Sequence, residues 1–275
     1  MAGPGAETLG LIAGGGSLPL ALARAARRAG RRVAAVAFPG RTDPALAGEV
    51  ASLAWHRPGE VGAVTRSLGA AGAARAVMAG KLPKAALTGD PDALGLDAEA
   101  RRLLAGLRDR GDASILRALA DHLESRGIRL LPQAELVPEW VAAEGPLGRV
   151  ALSAEQRRDV DYGLPIAREL ARLDVGQTVV VAGRAVLAVE AIEGTDEAIA
   201  RAGRFATGAS VVKVARPGQD ARFDNPAIGP DTIAALVRAG AGALAVEAGV
   251  ALLIERDETL AAADAAGIAL LGVRP

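Results

Sequence analysis

The stretch from Lys213 to Thr232, K-V-A-R-P-G-Q-D-A-R-F-D-N-P-A-I-G-P-D-T, holds the residues best placed to do chemistry. Acids, bases and amides crowd into a segment punctuated by Pro217, Pro226 and Pro230. If residues 219–224 run extended, alternation places Asp220, Arg222 and Asp224 on one face and Ala221 and Phe223 on the other. A charged row on an apolar backing suits the wall of a cleft. A carboxylate there can orient or deprotonate water or hold a hard cation, and a guanidinium can clamp phosphate. A solvated edge strand with weak ion pairs gives the same pattern. Beyond the row, Gly229-Pro230-Asp231-Thr232 opens a helical pattern that closes at Gly240, and the free amides of a helix start attract anions. Extended geometry sets Asp220 and Asp224 about 13 Å apart at Cα, too far to share one metal. Arg222 between them suits an interdomain ion pair or a phosphate clamp.

Other constellations sit where strands end. Ala13-Gly14-Gly15-Gly16-Ser17 follows the first strand pattern, where a Rossmann fold binds pyrophosphate. The G-x-G-x-x-G spacing is not met, Pro19 takes the last place, and no acid ends the second strand. A tight strand-to-helix turn also needs glycine, so backbone contact with a substrate is favoured over a nicotinamide cofactor. Gly80 and Lys81 end another buried strand, and Lys81 and Lys84 can meet phosphate. Glu190, Glu193, Gly194, Thr195 and Asp196 form an acidic turn. Thr195 or Asp196 capping the next helix explains it; a cation or substrate-hydroxyl site is the functional reading. Lys213, ending a strand, can neutralise a phosphate. In Arg110-Gly111-Asp112, an N-cap accounts for Asp112.

These residues need a scaffold, and composition bounds it. The chain has 275 residues, 51% of them hydrophobic and 2% aromatic. That is comfortable for two domains with cores of Ala, Val and Leu. A net charge of zero without basic runs, and few aromatics for stacking, argue against nucleic-acid binding. There is no cysteine, and His56 and His122 lack metal-ligand spacing, so disulfides, thiol nucleophiles and zinc sites fall away. Any metal needs oxygen ligands, which points to Mg²⁺. No signal sequence or membrane span is predicted, so a soluble cytoplasmic protein is expected.

Strand patterns at 9–13, 32–38, 50–54, 74–79 and 128–131 alternate with helices at 20–29, 60–68, 98–107 and 113–125. This predicts an α/β fold with an N-terminal Rossmann-like parallel sheet over 1–131. Proline and glycine mark a linker at 132–148. A C-terminal α/β domain with a mixed sheet follows over 149–275. It has a helix from Ser153 with a capping box to Gln156, a hairpin turning at Gly183-Arg184, strands at 210–214 and near Arg222, then, after the helix from Ile233, strands at 244–247 and 251–254, a helix at 258–266 and a last strand at 268–273.

Leu9 to Pro19, Arg110-Gly111-Asp112, Leu173 to Gln177, Val186 to Asp196 and Lys213 to Thr232 together resemble one family across nearly the whole chain. It is the UDP-2,3-diacylglucosamine pyrophosphatase of lipid A synthesis, in the form with two α/β domains rather than the metallophosphoesterase form. The resemblance implies Mg²⁺-assisted attack of water on the α-phosphorus of UDP-2,3-diacylglucosamine, releasing UMP and 2,3-diacylglucosamine 1-phosphate, or lipid X. It puts the catalytic aspartate on Asp224, which is also the expected metal ligand. Ala13, Gly14, Gly15, Ser17, Gly80, Lys81, Gly194, Thr195, Asp196, Lys213 and Arg222 become the expected substrate contacts. It also implies a lipid held between the domains, a homodimer, and transient contact with the inner leaflet. Asn225 departs from the family's usual apolar residue and Lys81 from its frequent polar amide. A non-catalytic nucleotide- or lipid-binding module on the same scaffold is the alternative.

Overall fold

The computed structural model describes residues 7–81, 94–107, 111–223 and 225–274. The chain divides into two compact units, one of Met1–Val137 with Asp220–Phe223, the other of Pro138–Gln219 with the chain beyond Phe223.

The first unit is built on β1 (Thr8–Ala13), β2 (Arg32–Ala37), β3 (Ser52–Trp55), β4 (Ala73–Ala79) and β5 (Arg129–Leu130). All pair in parallel in the order β3-β2-β1-β4-β5. Parallel strands need crossovers, supplied here by α1 (Leu18–Arg28), α2 (Val61–Ala70), α3 (Ala98–Ala105) and α4 (Asp112–Ser125). The order reverses between β1 and β4, and ligands of open α/β sheets bind beyond the strand ends at such a point. Ile12, Val36 and Met78 from the strands, Val64 and Leu68 from α2 and Leu123 from α4 share one buried core. The cap of α4 is Gly111, with Asp112 as the first helical residue, so the N-cap expectation for Asp112 is corrected by one position.

After the short α5 (Gln133–Leu136) and β6 (Gly145–Pro146), the second unit carries α6 (Ala154–Arg172), β7 (Thr178–Ala182), β8 (Ala185–Val189) and α7 (Thr195–Ala202). Then come β9 (Ser210–Lys213), β10 (Ala227–Ile228), α8 (Pro230–Ala239), β11 (Ala243–Glu247), β12 (Leu252–Leu253), α9 (Arg256–Ala265) and β13 (Ala269–Val273). The mixed sheet runs β6-β13-β11-β9-β7-β8, with β9, β11 and β13 parallel and β6, β7 and β8 antiparallel to their neighbours. Alternation assigns its faces. Val179, Val181, Val212, Ala245 and Leu271 point toward Val160 and Ala167 of α6. Val180, Val211, Leu244 and Leu270 point toward Ile199 of α7, Leu236 of α8 and Ala263 of α9. β10 and β12 make a separate parallel pair.

Two local expectations hold to the atom. Ser153 accepts from the Gln156 amide at 3.1 Å while the Gln156 side chain accepts from the Ser153 amide at 2.9 Å, closing the capping box of α6. The β7–β8 hairpin turns at Gly183 and Arg184, both at φ +59°. Asp159 of α6, only 3% exposed, accepts from the amides of both turn residues, at 3.1 and 2.7 Å. A left-handed turn with a non-glycine residue is thereby held by a carboxylate from the helix beneath it.

Candidate functional site

In the second unit, polar residues gather at the carboxyl edge of the parallel strands. Lys213 is the last residue of β9, pairs across the sheet with Thr178 and is only 8% exposed. Its Nζ donates to Thr195 Oγ1 at 2.7 Å. That hydroxyl donates to Glu190 Oε1 at 3.0 Å, and the Thr178 hydroxyl lies 3.4 Å from it. The hydroxyl thus spends its one proton on the carboxylate and its lone pairs on donors. Glu190 is fixed from behind: its Oε2 accepts from the Gln177 amide at 3.3 Å, and its own amide donates to the Thr178 carbonyl at 2.8 Å. Gly176 is obligatory here, because a Cβ on it would stand 2.0 Å from the Glu190 carbonyl oxygen.

Of the two readings of the acidic turn, one makes Thr195 or Asp196 a helix cap. The N-cap of α7 is instead Gly194, and no side chain caps it. Thr195 is turned to a lysine eighteen residues away, while Asp196 is exposed in the first turn. Glu193 accepts from Arg201 Nη2 at 2.6 Å, and its own backbone N–H, then Arg201, hold its carboxyl below the usual carboxylate range. Glu190, already singled out within the acidic turn, and Thr178, which sequence reasoning missed, complete the cluster. Thr178 carries no local signal, being placed only by strand pairing.

In the first unit the expected contacts meet at the switch point. The Gly14 amide donates to the Ala79 carbonyl at 2.7 Å, and Gly15 and Lys81 exchange two backbone hydrogen bonds of 2.9 Å. The ends of β1 and β4 are therefore laced together, and those two glycine amides already serve backbone carbonyls. Gly80 holds φ +85°, and a Cβ there would lie 2.5 Å from the Gly15 carbonyl oxygen. Thr42 accepts from the Phe38 amide and donates to the Ala13 carbonyl, fixing the end of β1. Ser17 heads α1, exposed and making no side-chain cap bond, with Pro19 in the first turn. Gln133, buried on α5, donates from Nε2 to the Met78 carbonyl at 2.7 Å near the end of β4.

The extended charged row is not formed, and the strand expected near Arg222 is absent. Residues 221–223 are a turn, in which the Phe223 amide donates to the Asp220 carbonyl at 3.0 Å. Arg222 grips Asp220 from Nε at 3.0 Å and Nη2 at 2.7 Å, and lies 5.0 Å from the centre of the Phe223 ring. Phe223 packs against the core of the first unit. Asp and Arg two apart meet across a turn as readily as along a strand, and the ring backing favours the turn. Arg222 is thus paired within its own turn. Its guanidinium holds the Asp220 carboxyl below the usual range, and Asp220 raises Arg222 in return.

Asp224, the expected catalytic carboxylate, lies outside the described residues. Among the described residues no three of His, Asp and Glu come together as a metal site, and Asp220 is already taken by Arg222. The described side chains do not by themselves form an oxygen-ligand set for Mg²⁺. No described helix is long and apolar enough to cross a membrane.

Comparison with known proteins covers the same two halves. Residues 8–140 match the family model for the LpxI N-terminal domain, and residues 143–271 match that for the LpxI C-terminal domain. The chain is also 36% identical over 280 positions to UDP-2,3-diacylglucosamine pyrophosphatase LpxI of Caulobacter vibrioides, covering 97% of this chain and 98% of that protein. With both domain models matched in order and an end-to-end relative, the chain belongs to the LpxI family.

Proposed function

We propose that this protein is a UDP-2,3-diacylglucosamine pyrophosphatase of lipid A biosynthesis. The end-to-end identity to a relative bearing that activity in its name carries the reading. Water attacks the α-phosphorus: a bond forms from its oxygen to phosphorus, and the bond from that phosphorus to the bridging oxygen breaks. UMP leaves with the water oxygen, and 2,3-diacylglucosamine 1-phosphate leaves with the bridging oxygen. Lys213 is the cation for a phosphate at this edge, held in place by Thr195, which Glu190 orients in turn. Such a preset donor costs no reorganisation when charge develops on the leaving phosphate. Gly194 and Asp196 flank Thr195 and are proposed substrate contacts with it. The same is proposed for Ala13, Gly14, Gly15, Ser17, Gly80 and Lys81 in the first unit.

Asp224 is proposed as the carboxylate that acts on the attacking water, and Mg²⁺ as the required ion, both on the family resemblance. Homodimer formation, cytoplasmic location and transient inner-leaflet contact are proposed on the same ground. The test is incubation with UDP-2,3-diacylglucosamine and Mg²⁺ in ¹⁸O-water, with and without EDTA. UMP carrying the label, loss of its release with EDTA, and near-complete loss in a folded Asp224→Ala variant are expected. Recovery of unchanged substrate refutes the hydrolase; label in the sugar phosphate refutes attack at the α-phosphorus.

A further inference from the structure

Three loops meet at the edge where Lys213 sits. The Val214 amide donates to the Gln177 carbonyl at 2.9 Å, and the Gln177 amide reaches Glu190 at 3.3 Å. Gly176 lies against the Glu190 carbonyl. Around these contacts stand large apolar side chains that the fold leaves in water: Leu173 at 60%, Val175 at 45% and Ile192 at 97% exposure. Single exposed apolar residues are ordinary. Here three stand within four residues of Gly176 or Glu190, on adjoining loops beside a buried cation. Turns are normally polar, yet Ile192 occupies a turn and projects its side chain into solvent.

The charges of this rim are paired internally. Asp174, between Leu173 and Val175, binds Arg216 at 2.9 Å, and Glu193, next to Ile192, binds Arg201 at 2.6 Å. A rim so neutralised offers little attraction to an anionic bilayer, which draws on unpaired Lys and Arg. It offers apolar contact directly beside a phosphate-binding lysine, which is the pattern an amphiphile requires. We infer that Leu173, Val175 and Ile192 form the rim that contacts an acyl chain of the bound substrate, and so set acyl-chain preference. The identity of the ligand rests on the pyrophosphatase reading above; the rim itself rests on exposure and placement.

The test compares the wild type with Ile192→Ser and with the Leu173→Ser/Val175→Ser/Ile192→Ser triple variant. The substrates are long-chain UDP-2,3-diacylglucosamine and a dibutyryl analogue, each below its micellar concentration. The inference expects KM for the long-chain substrate to rise about tenfold in the triple variant and by less in Ile192→Ser, with kcat unchanged and the dibutyryl kinetics unmoved. An unchanged long-chain KM, or an equal loss on both substrates, overturns it. Loss of sedimentation with bare phosphatidylglycerol vesicles, with both KM values intact, makes the rim a membrane contact and also overturns it. If the wild type hydrolyses neither substrate, the hydrolase reading fails separately. The rim is then judged by binding of pyrene-labelled 2,3-diacylglucosamine 1-phosphate: about tenfold weaker binding to the triple variant supports it, and equal binding overturns it.

Discussion

Thr195→Val replaces a hydroxyl with a methyl of nearly the same shape, so its effect reads the hydrogen bonds alone. Thr195 Oγ1 accepts from Lys213 Nζ at 2.7 Å and donates to Glu190 Oε1 at 3.0 Å. Both partners are ionic groups, and such bonds contribute about 1.5–3 kcal/mol each. Thr195 and Glu190 are only half-buried, so water recovers part of the loss on the carboxylate side. A net cost of about 2–3 kcal/mol follows, or roughly 6–10 °C in Tm. Lys213 also loses one of the contacts that aim it, and if it binds phosphate as proposed, kcat/KM should fall by about 10²-fold. Thr195→Ser keeps the hydroxyl and should stay within about threefold of wild type. Urea unfolding followed by circular dichroism gives the first quantity, and UMP release gives the second. A Val variant that unfolds and hydrolyses like wild type would refute the role assigned to this hydroxyl. So would a Ser variant as impaired as Val.

Gly80→Ala places a Cβ 2.5 Å from the Gly15 carbonyl oxygen at φ +85°, so a loss of at least about 2 kcal/mol is expected in urea unfolding. Asp159→Ala strips the acceptor from two hairpin amides, with an expected cost of about 2–4 kcal/mol and a smaller one for Asp159→Asn, read from urea midpoints. The Asp220–Arg222 pair depresses the Asp220 pKa, so its contribution is full above about pH 4 and is lost as pH falls through the folded-state value. For this part-buried pair it is on the order of 1 kcal/mol. The stability gap between wild type and Asp220→Asn should therefore be constant from pH 7 to pH 5 and narrow as pH falls below the usual carboxylate range; a gap that does not narrow on acidification refutes the pairing.

What was legible in the sequence was whatever local chemistry decides. The Ser153–Gln156 box, the Gly183-Arg184 hairpin and the Gly240 stop lie within a few residues of their partners, and each formed as read. The alternation of strands and helices in the first half likewise gave the parallel sheet. The failures share a cause. Thr195 has the composition of a cap, but its strongest partner comes from another strand and no window of sequence holds both. Asp220 and Arg222 meet in a turn because Phe223 is drawn toward a core more than two hundred residues upstream at Ile12. The lacing of Gly14 and Gly15 to β4 and Lys81 was likewise hidden, because that pairing exists only once β1 and β4 are neighbours.

The four residues 220–223 belong to the first unit although the rest of that unit ends at Val137. Ribosomal synthesis at about 5–20 residues per second therefore separates the bulk of the first half from its last piece by roughly 4–17 s. During that interval the hydrophobic seat of Phe223 has no native occupant. A nascent chain halted before Phe223 should display that seat to chaperones, and resumption of translation should withdraw it. Severing the gene between its halves would leave the leading fragment with the same vacancy permanently.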